Sequence, residues 1–154
     1  CRLAWGRGRL SVRIFGEWWA LGGQVAFHLG RALRLTNIQG DVPEDAPRGR
    51  LYLPSGLRDR FAVPHDPVQA LTAPGLEGVC RILATRAQDH FRRAFTLMKS
   101  CRPKAMMPAR IMGASYESIL YAMLKRGWAP AVLRQRVRTK LPAKAVRFVH
   151  SYLP

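Results

Sequence analysis

Acid is scarce in this chain. Nine Asp and Glu stand against twenty-six Lys and Arg over 154 residues, a formal charge of +17. So basic a balance implies an anionic partner: nucleic acid, an acidic lipid surface or a phosphorylated substrate. The charge runs from Arg2 to Arg147 with no run of five basic residues, so no single tail accounts for it. Long apolar runs are missing as well. The longest charge-free stretch, Trp18 to Gly30, has thirteen residues, whereas a membrane-spanning helix needs about 20.

Cysteine is sparse: Cys1, Cys80 and Cys101 are odd in number and show no CxxC spacing. That excludes a disulfide framework and a thiolate zinc site, and points to a reducing, cytoplasmic setting. His28, His65, His90 and His150 show neither HxxxH nor HExxH spacing, so each reads as a surface or half-buried residue. No serine sits in a GxSxG elbow, and Gly6-Arg7-Gly8-Arg9 follows no strand, which argues against a phosphate loop. There is no signal-peptide pattern, internal repeat or flexible linker. The first residue is Cys rather than Met, from which we expect a piece of a longer chain.

What is present reads as globular, with 48% hydrophobic and 23% charged residues in about one domain's length. The pattern is helical. Leu21, Val25, Leu29 and Leu33 recur every four residues within a helix expected over Ser11 to Ile38, with Gly22-Gly23 as a possible break or close contact. Asp66-Pro67 reads as a capped helix start. From Leu76 the series Val79, Cys80, Leu83, Ala87, Phe91, Ala94, Met98 makes a buried stripe of about six turns, leaving Arg81, Arg86, Arg92 and Arg93 on a solvated face. A third helix is expected from Pro108, with Ile111, Tyr116, Ile119, Leu120, Met123 and Leu124 inward and Gly127 as its stop. Trp18-Trp19 reads as core or interface, and Met106, Met107 and Met112 as core filler. The expected class is all-α, a packed helical bundle.

Against this background one segment stands out. Asp41, Glu44 and Asp45 put three of the nine acids into five positions, followed at once by Arg48 and Arg50. On a helix, Asp41 and Asp45 project from one face roughly 6 Å apart. At a helix C-terminus they repel each other and oppose the macrodipole. A hard cation between them relieves both costs. Magnesium fits best, because it takes one or two carboxylates and completes its octahedron with water and phosphate oxygens. Arginines nearby then suit the remaining phosphate oxygens. On spacing alone the better reading is a solvated acidic turn balanced by its arginines, because DxxxD is a weak signal.

The segment resembles the second aspartate-rich motif of the squalene/phytoene synthase family. The matching residues are Leu35-Thr36-Asn37-Ile38, Asp41, Glu44-Asp45 and Gly49-Arg50-Leu51-Tyr52-Leu53-Pro54. Upstream, Gly8-Arg9-Leu10-Ser11-Val12-Arg13-Ile14-Phe15-Gly16 and Leu29-Gly30-Arg31-Ala32-Leu33 are similar to the family's preceding helix. Downstream, Ala109-Arg110-Ile111-Met112, Tyr116, Ile119-Leu120, Arg126-Gly127-Trp128 and Arg136-Val137 resemble its C-terminal helix and tail. The bacterial branch that makes presqualene diphosphate is the nearest in pattern. The resemblance implies an isoprenoid-synthase fold in which magnesium, held by two facing aspartate-rich motifs, assists head-to-head joining of two farnesyl diphosphates to a cyclopropylcarbinyl diphosphate. It implies Asp41 and Asp45 as catalytic metal ligands, Asn37 as a metal or diphosphate support, and Arg50 as a phosphate ligand. An apolar substrate and product make peripheral contact with anionic lipid a further expectation.

The chain departs from the family pattern in places. Arg34 stands where the family has Gln, and Gln39-Gly40 where it has Leu-Arg; Arg34 is the candidate to replace the lost charge. Pro43 removes a helical donor inside the acid cluster. No second acid cluster exists, since Glu17, Asp59, Asp66, Glu77, Asp89 and Glu117 stand apart. We therefore expect residues 1–154 to be the C-terminal portion of one synthase domain, inactive alone. Two other classes compete: a non-catalytic relative serving as a scaffold, and a basic nucleic-acid-binding domain. The last is the weakest, for no helix-turn-helix signature or RNP aromatic pair accompanies the charge.

Overall fold

A computed structural model describes residues 20–133, and all regular structure within them is helical. In chain order the elements are α1 (Ala20–Gly40), α2 (Val42–Asp45), a 3-10 turn (Ala46–Arg48), α3 (Ser55–Arg60), α4 (Pro67–Ala70), α5 (Leu76–Met98), α6 (Pro103–Arg126) and α7 (Pro130–Leu133). The expected all-α class is the observed one. Trp18-Trp19, the glycine-flanked segment before them, Arg136-Val137, Cys1 and His150 lie outside the described residues.

Three long helices make the core: α1 packs most extensively on α5, and α6 closes against both. The α5 stripe read from the sequence is buried at every position from Val79 to Met98, with Leu76 and Ala84 added to it. Burying a side chain the size of Leu83 or Phe91 contributes about 1.5–3 kcal/mol, so this single face is a large share of what holds the bundle together. The opposite face carries Arg81, Arg86, Arg92 and Arg93 in solvent. Glu77 pairs with Arg81 at 2.7 Å, and Asp89 with both Arg92 and Arg93 (2.8 Å to the latter). The short helix α4 starts as expected, with Asp66 Oδ1 accepting from the Gln69 N–H at 2.8 Å and Pro67 in the first turn.

Three expectations need correction. The first helix runs through Gly22-Gly23 without a break, with Gly22 buried and Gly23 clear of any neighbour that a Cβ would meet. The third long helix starts at Pro103, not Pro108. Arg102 is extended with ψ of 122°, the conformation a following proline favours, and Pro103 occupies the first turn where no N–H is needed. Pro108 inside α6 forfeits only the bond to Lys104. The α6 face is otherwise the expected one: Leu120 and Met123 are buried, with Met106, Ala109, Gly113 and Ser115 beside them. Tyr116, Ile119 and Leu124 are half-buried and packed against the core, and Ile111 is half-buried. Of the methionine pair, Met106 is core but Met107 is 52% exposed.

Two glycines set how the elements meet. Gly127 ends α6 with φ of 79°, a conformation that costs L-residues strain, and its N–H bonds the Met123 carbonyl at 2.8 Å. At Gly75 a Cβ would stand 1.9 Å from the Phe61 carbonyl oxygen; the turn before α5 can approach the end of α3 only because that atom is missing.

Candidate functional site

The acidic segment lies where α1 gives way to α2. Pro43 has no N–H for the Gln39 carbonyl and its ring crowds that turn, so regular helix stops at Gly40. The break is slight: Asp41 keeps near-helical angles (φ −87°, ψ −8°), its backbone carbonyl accepts the Asp45 N–H at 2.8 Å, and its own N–H donates to the Asn37 carbonyl at 2.8 Å. Asn37, Asp41 and Glu44 therefore stack at helical spacing along one face. Arg34 precedes them on that face.

That face forms one wall of a cavity of about 840 Å³. Thr36, Asn37, Gly40, Asp41 and Glu44 line it from α1 and α2. Tyr116, Ile119, Met123 and Arg126 line it from α6, and Leu71 and Leu133 add apolar surface. The carboxylates and Asn37 thus gather on the α1–α2 side, and the other side is carbon surface apart from Thr72, Tyr116 and Arg126. The volume falls in the range of small-molecule sites.

Of the residues expected to act, Asn37 and Asp41 are in the lining, while Asp45, Arg34 and Arg50 are not. Asp45 is half-buried and Arg34 and Arg50 are exposed. Asp45 still acts on Asp41 electrostatically. Burial pushes the Asp41 carboxyl above its ordinary value, and the neighbouring Asp45 and Glu44 charges push it further in the same direction. The departure residue Gln39 turns away from the cavity: its side chain is fully buried, with Nε2 donating to the Leu35 carbonyl at 2.8 Å. Gly40, the other departure, faces Met123, whose Sδ would lie 3.5 Å from a Cβ there.

Sequence reasoning missed Glu44 and Arg126 as lining residues. Glu44 was legible, since a residue three after Asp41 shares its helix face as well as one four after it. Arg126 comes from α6, and no local pattern links it to the acidic segment. Its Nε donates to the Gly127 carbonyl at 3.0 Å and its Nη1 approaches the Leu133 carbonyl at 3.5 Å. Burial lowers its pKa, but a guanidinium stays charged at any physiological pH. Nearby Cys80 is a free, buried thiol pushed up to about 12 by burial, hence an inert core residue.

The donors on the acidic wall are oxygens only, carboxylate and amide, which suits a hard cation such as magnesium rather than zinc or copper. The Asp41 carboxyl, raised by burial first and by its acidic neighbours second, is also a place where a cation lowers the energy. The residues fit such an ion. Among the described residues no three His, Cys, Asp or Glu converge on one point, so the acids form a wall and not a closed cage. No described helix is long and apolar enough to cross a membrane.

A profile of the squalene/phytoene synthase family matches residues 6–143. The chain belongs to that family. Its similarity to individual family members is substantial. It is 44% identical over 128 residues to a presqualene diphosphate synthase of Zymomonas mobilis, covering 82% of this chain and 44% of that protein. Against the presqualene diphosphate synthase of Rhodopseudomonas palustris the figures are 45% over 129 residues, 83% and 46%. Against that of Sinorhizobium fredii they are 39% over 155 residues, 99% and 54%. The chain spans about half the length of these squalene/phytoene synthase relatives. The acidic cavity wall falls inside the matched region, as do α5 and α6.

Proposed function

We propose that this chain contributes the second acidic wall of a prenyltransferase that joins two farnesyl diphosphates head to head, giving presqualene diphosphate. The carrying observation is the cavity itself, with Asn37 and Asp41 on one side and the apolar side chains of Ile119, Met123 and Leu133 on the other. An allylic diphosphate has the matching shape, a highly charged head on a hydrocarbon tail. The similarity to three presqualene diphosphate synthases supports the same choice.

In this reading Asp41 and Asp45 would hold magnesium, with Asn37 beside them. The bound ion supplies neutralisation of the diphosphate, an otherwise poor leaving group. Asn37 orients the head, and Arg34 and Arg50, exposed and outside the lining, add positive charge at longer range. The apolar wall of Ile119, Met123 and Leu133 holds the chain of the substrate and excludes water. In the reaction, the C1–O bond of one farnesyl diphosphate breaks and the diphosphate leaves with the electron pair. The allylic cation is then attacked by the double bond of the second substrate. Loss of a proton closes the cyclopropane, so two substrates give one presqualene diphosphate, one diphosphate and one proton. Most of the catalytic effect is electrostatics and positioning.

The facing acids come from outside these 154 residues, so the isolated chain turns over no substrate. The test is product analysis after incubating the protein at its full natural length with farnesyl diphosphate and magnesium. Presqualene diphosphate should form and should disappear with Asp41→Ala. Binding of random duplex DNA that falls steeply with salt, with no prenyl product, would favour the nucleic-acid reading instead.

A further inference from the structure

Among the described residues that line the cavity, the one cation is Arg126. Arg34 and Arg50, which the sequence nominated for phosphate, are exposed and outside the lining. We infer that Arg126 binds the diphosphate head from the α6 side of the cavity, supplying from the facing helix the positive charge that position 40 lacks. The inference rests on the prenyltransferase reading above and names a residue for it.

Three observations converge. First, residue 40 is glycine where the family pattern has arginine, so the acidic wall has no cation of its own inside the cavity. Second, the last turn of α6 lies against that gap: Met123 packs over Gly40 at 3.5 Å from where a Cβ would be, and Arg126 is the next residue along the same face. Third, the guanidinium is held in place. Its contacts to the Gly127 and Leu133 carbonyls fix the side chain before any ligand arrives, which lowers the entropy lost on binding. Gly127 at positive φ and α7 behind it provide those carbonyls, so the turn after α6 serves to aim the arginine. The chemistry matches. A diphosphate ester carries more negative charge than one divalent ion neutralises, and the Asp41–Glu44 wall adds to the excess. A guanidinium opposite that wall offsets it and donates paired N–H groups to phosphate oxygens. The same charge repels an allylic cation, so Arg126 also selects the end of the cavity where the head group sits.

The test uses the full-length protein and calorimetric titration with two probes, inorganic pyrophosphate with magnesium and the uncharged prenyl alcohol farnesol. Arg126→Gln should weaken pyrophosphate binding roughly tenfold or more, as loss of a charged hydrogen-bond donor does. Arg126→Lys should fall between wild type and Arg126→Gln, farnesol binding should be unchanged, and Arg86→Gln on the solvated face of α5 should match wild type. Loss of farnesol affinity in parallel would mean that Arg126 only holds the fold, and would overturn the inference. Asp41→Ala separates the two levels. If it abolishes pyrophosphate binding while Arg126→Gln has no effect, the arginine assignment fails and the prenyltransferase reading stands. If neither variant changes binding, both fall.

Discussion

Removing the charge of Asp41 should make the metal-free protein more stable, although Asp41 is the residue most central to its proposed function. Asp41 follows the last residue of the 21-residue α1, where negative charge opposes the helix dipole. Its carboxyl is pushed above 3.8 by burial and by Asp45 and Glu44. An acid whose folded pKa is raised contributes stability only while protonated. That contribution is complete below the unfolded value and is lost as pH rises through the folded value, so at pH 7 the ionised side chain is a net cost. An exposed like-charge pair at helical spacing costs about 0.2–0.5 kcal/mol, and solvent screening holds it to the lower end. Two such neighbours and the dipole together come to about 0.5–1 kcal/mol. At roughly 2–4 °C per kcal/mol for a protein this size, Asp41→Asn should raise the melting temperature by about 1–4 °C in EDTA at pH 7. Calorimetry at pH 3, where both proteins are uncharged at this position, should remove the difference. Magnesium with pyrophosphate should reverse it, because only wild type gains binding energy. A lower melting temperature for Asp41→Asn in EDTA would refute the electrostatic reasoning.

Other outcomes follow from the same structure. His28 and His90 meet with Nδ1 atoms 2.9 Å apart across α1 and α5, beside Phe27 and Asp89, with Arg31 and Arg93 near. Burial lowers both pKa values below 6.5, helped by Arg93 and Arg31 for His28 and by His28 and Arg31 for His90. Stability should be full above pH 6.5 and decline as pH falls through the lowered values; a His28→Gln/His90→Gln protein with the same decline would contradict this. Phe91→Ala should cost about 3–5 kcal/mol in denaturant unfolding, since its ring is fully buried on α5. Gly75→Ala should destabilise by more than an ordinary surface change, measured the same way, because its Cβ would collide with the Phe61 carbonyl. Sedimentation with anionic vesicles at low salt should exceed that with neutral vesicles, each exposed Lys or Arg near the surface adding on the order of 1 kcal/mol.

The long-range helical architecture was readable because burial imposes a period. The stripe from Val79 to Met98 is regular enough to give α5 its bounds, and Gly127 and Asp66-Pro67 mark ends by backbone chemistry that local sequence carries. Pro108 misled because a proline signals a helix start only when an earlier one does not; Pro103 filled that role and α6 absorbed the second. The site was half legible. Asn37 and Asp41 share a face by spacing, but which acid follows Asp41 into the cavity depends on how the chain turns at Pro43, and Glu44 lines it rather than Asp45. Arg126 and the His28–His90 contact join residues far apart in the chain. Only the packing of α6 and α5 against α1 reveals them.

The most direct measurement is titration of the full-length protein with a farnesyl diphosphate analogue that cannot ionise, with magnesium and then with EDTA. Tight binding should require the ion and vanish in Asp41→Ala. Equal affinity in EDTA, or in the alanine variant, would mean that the acidic wall does not hold a cation against the diphosphate.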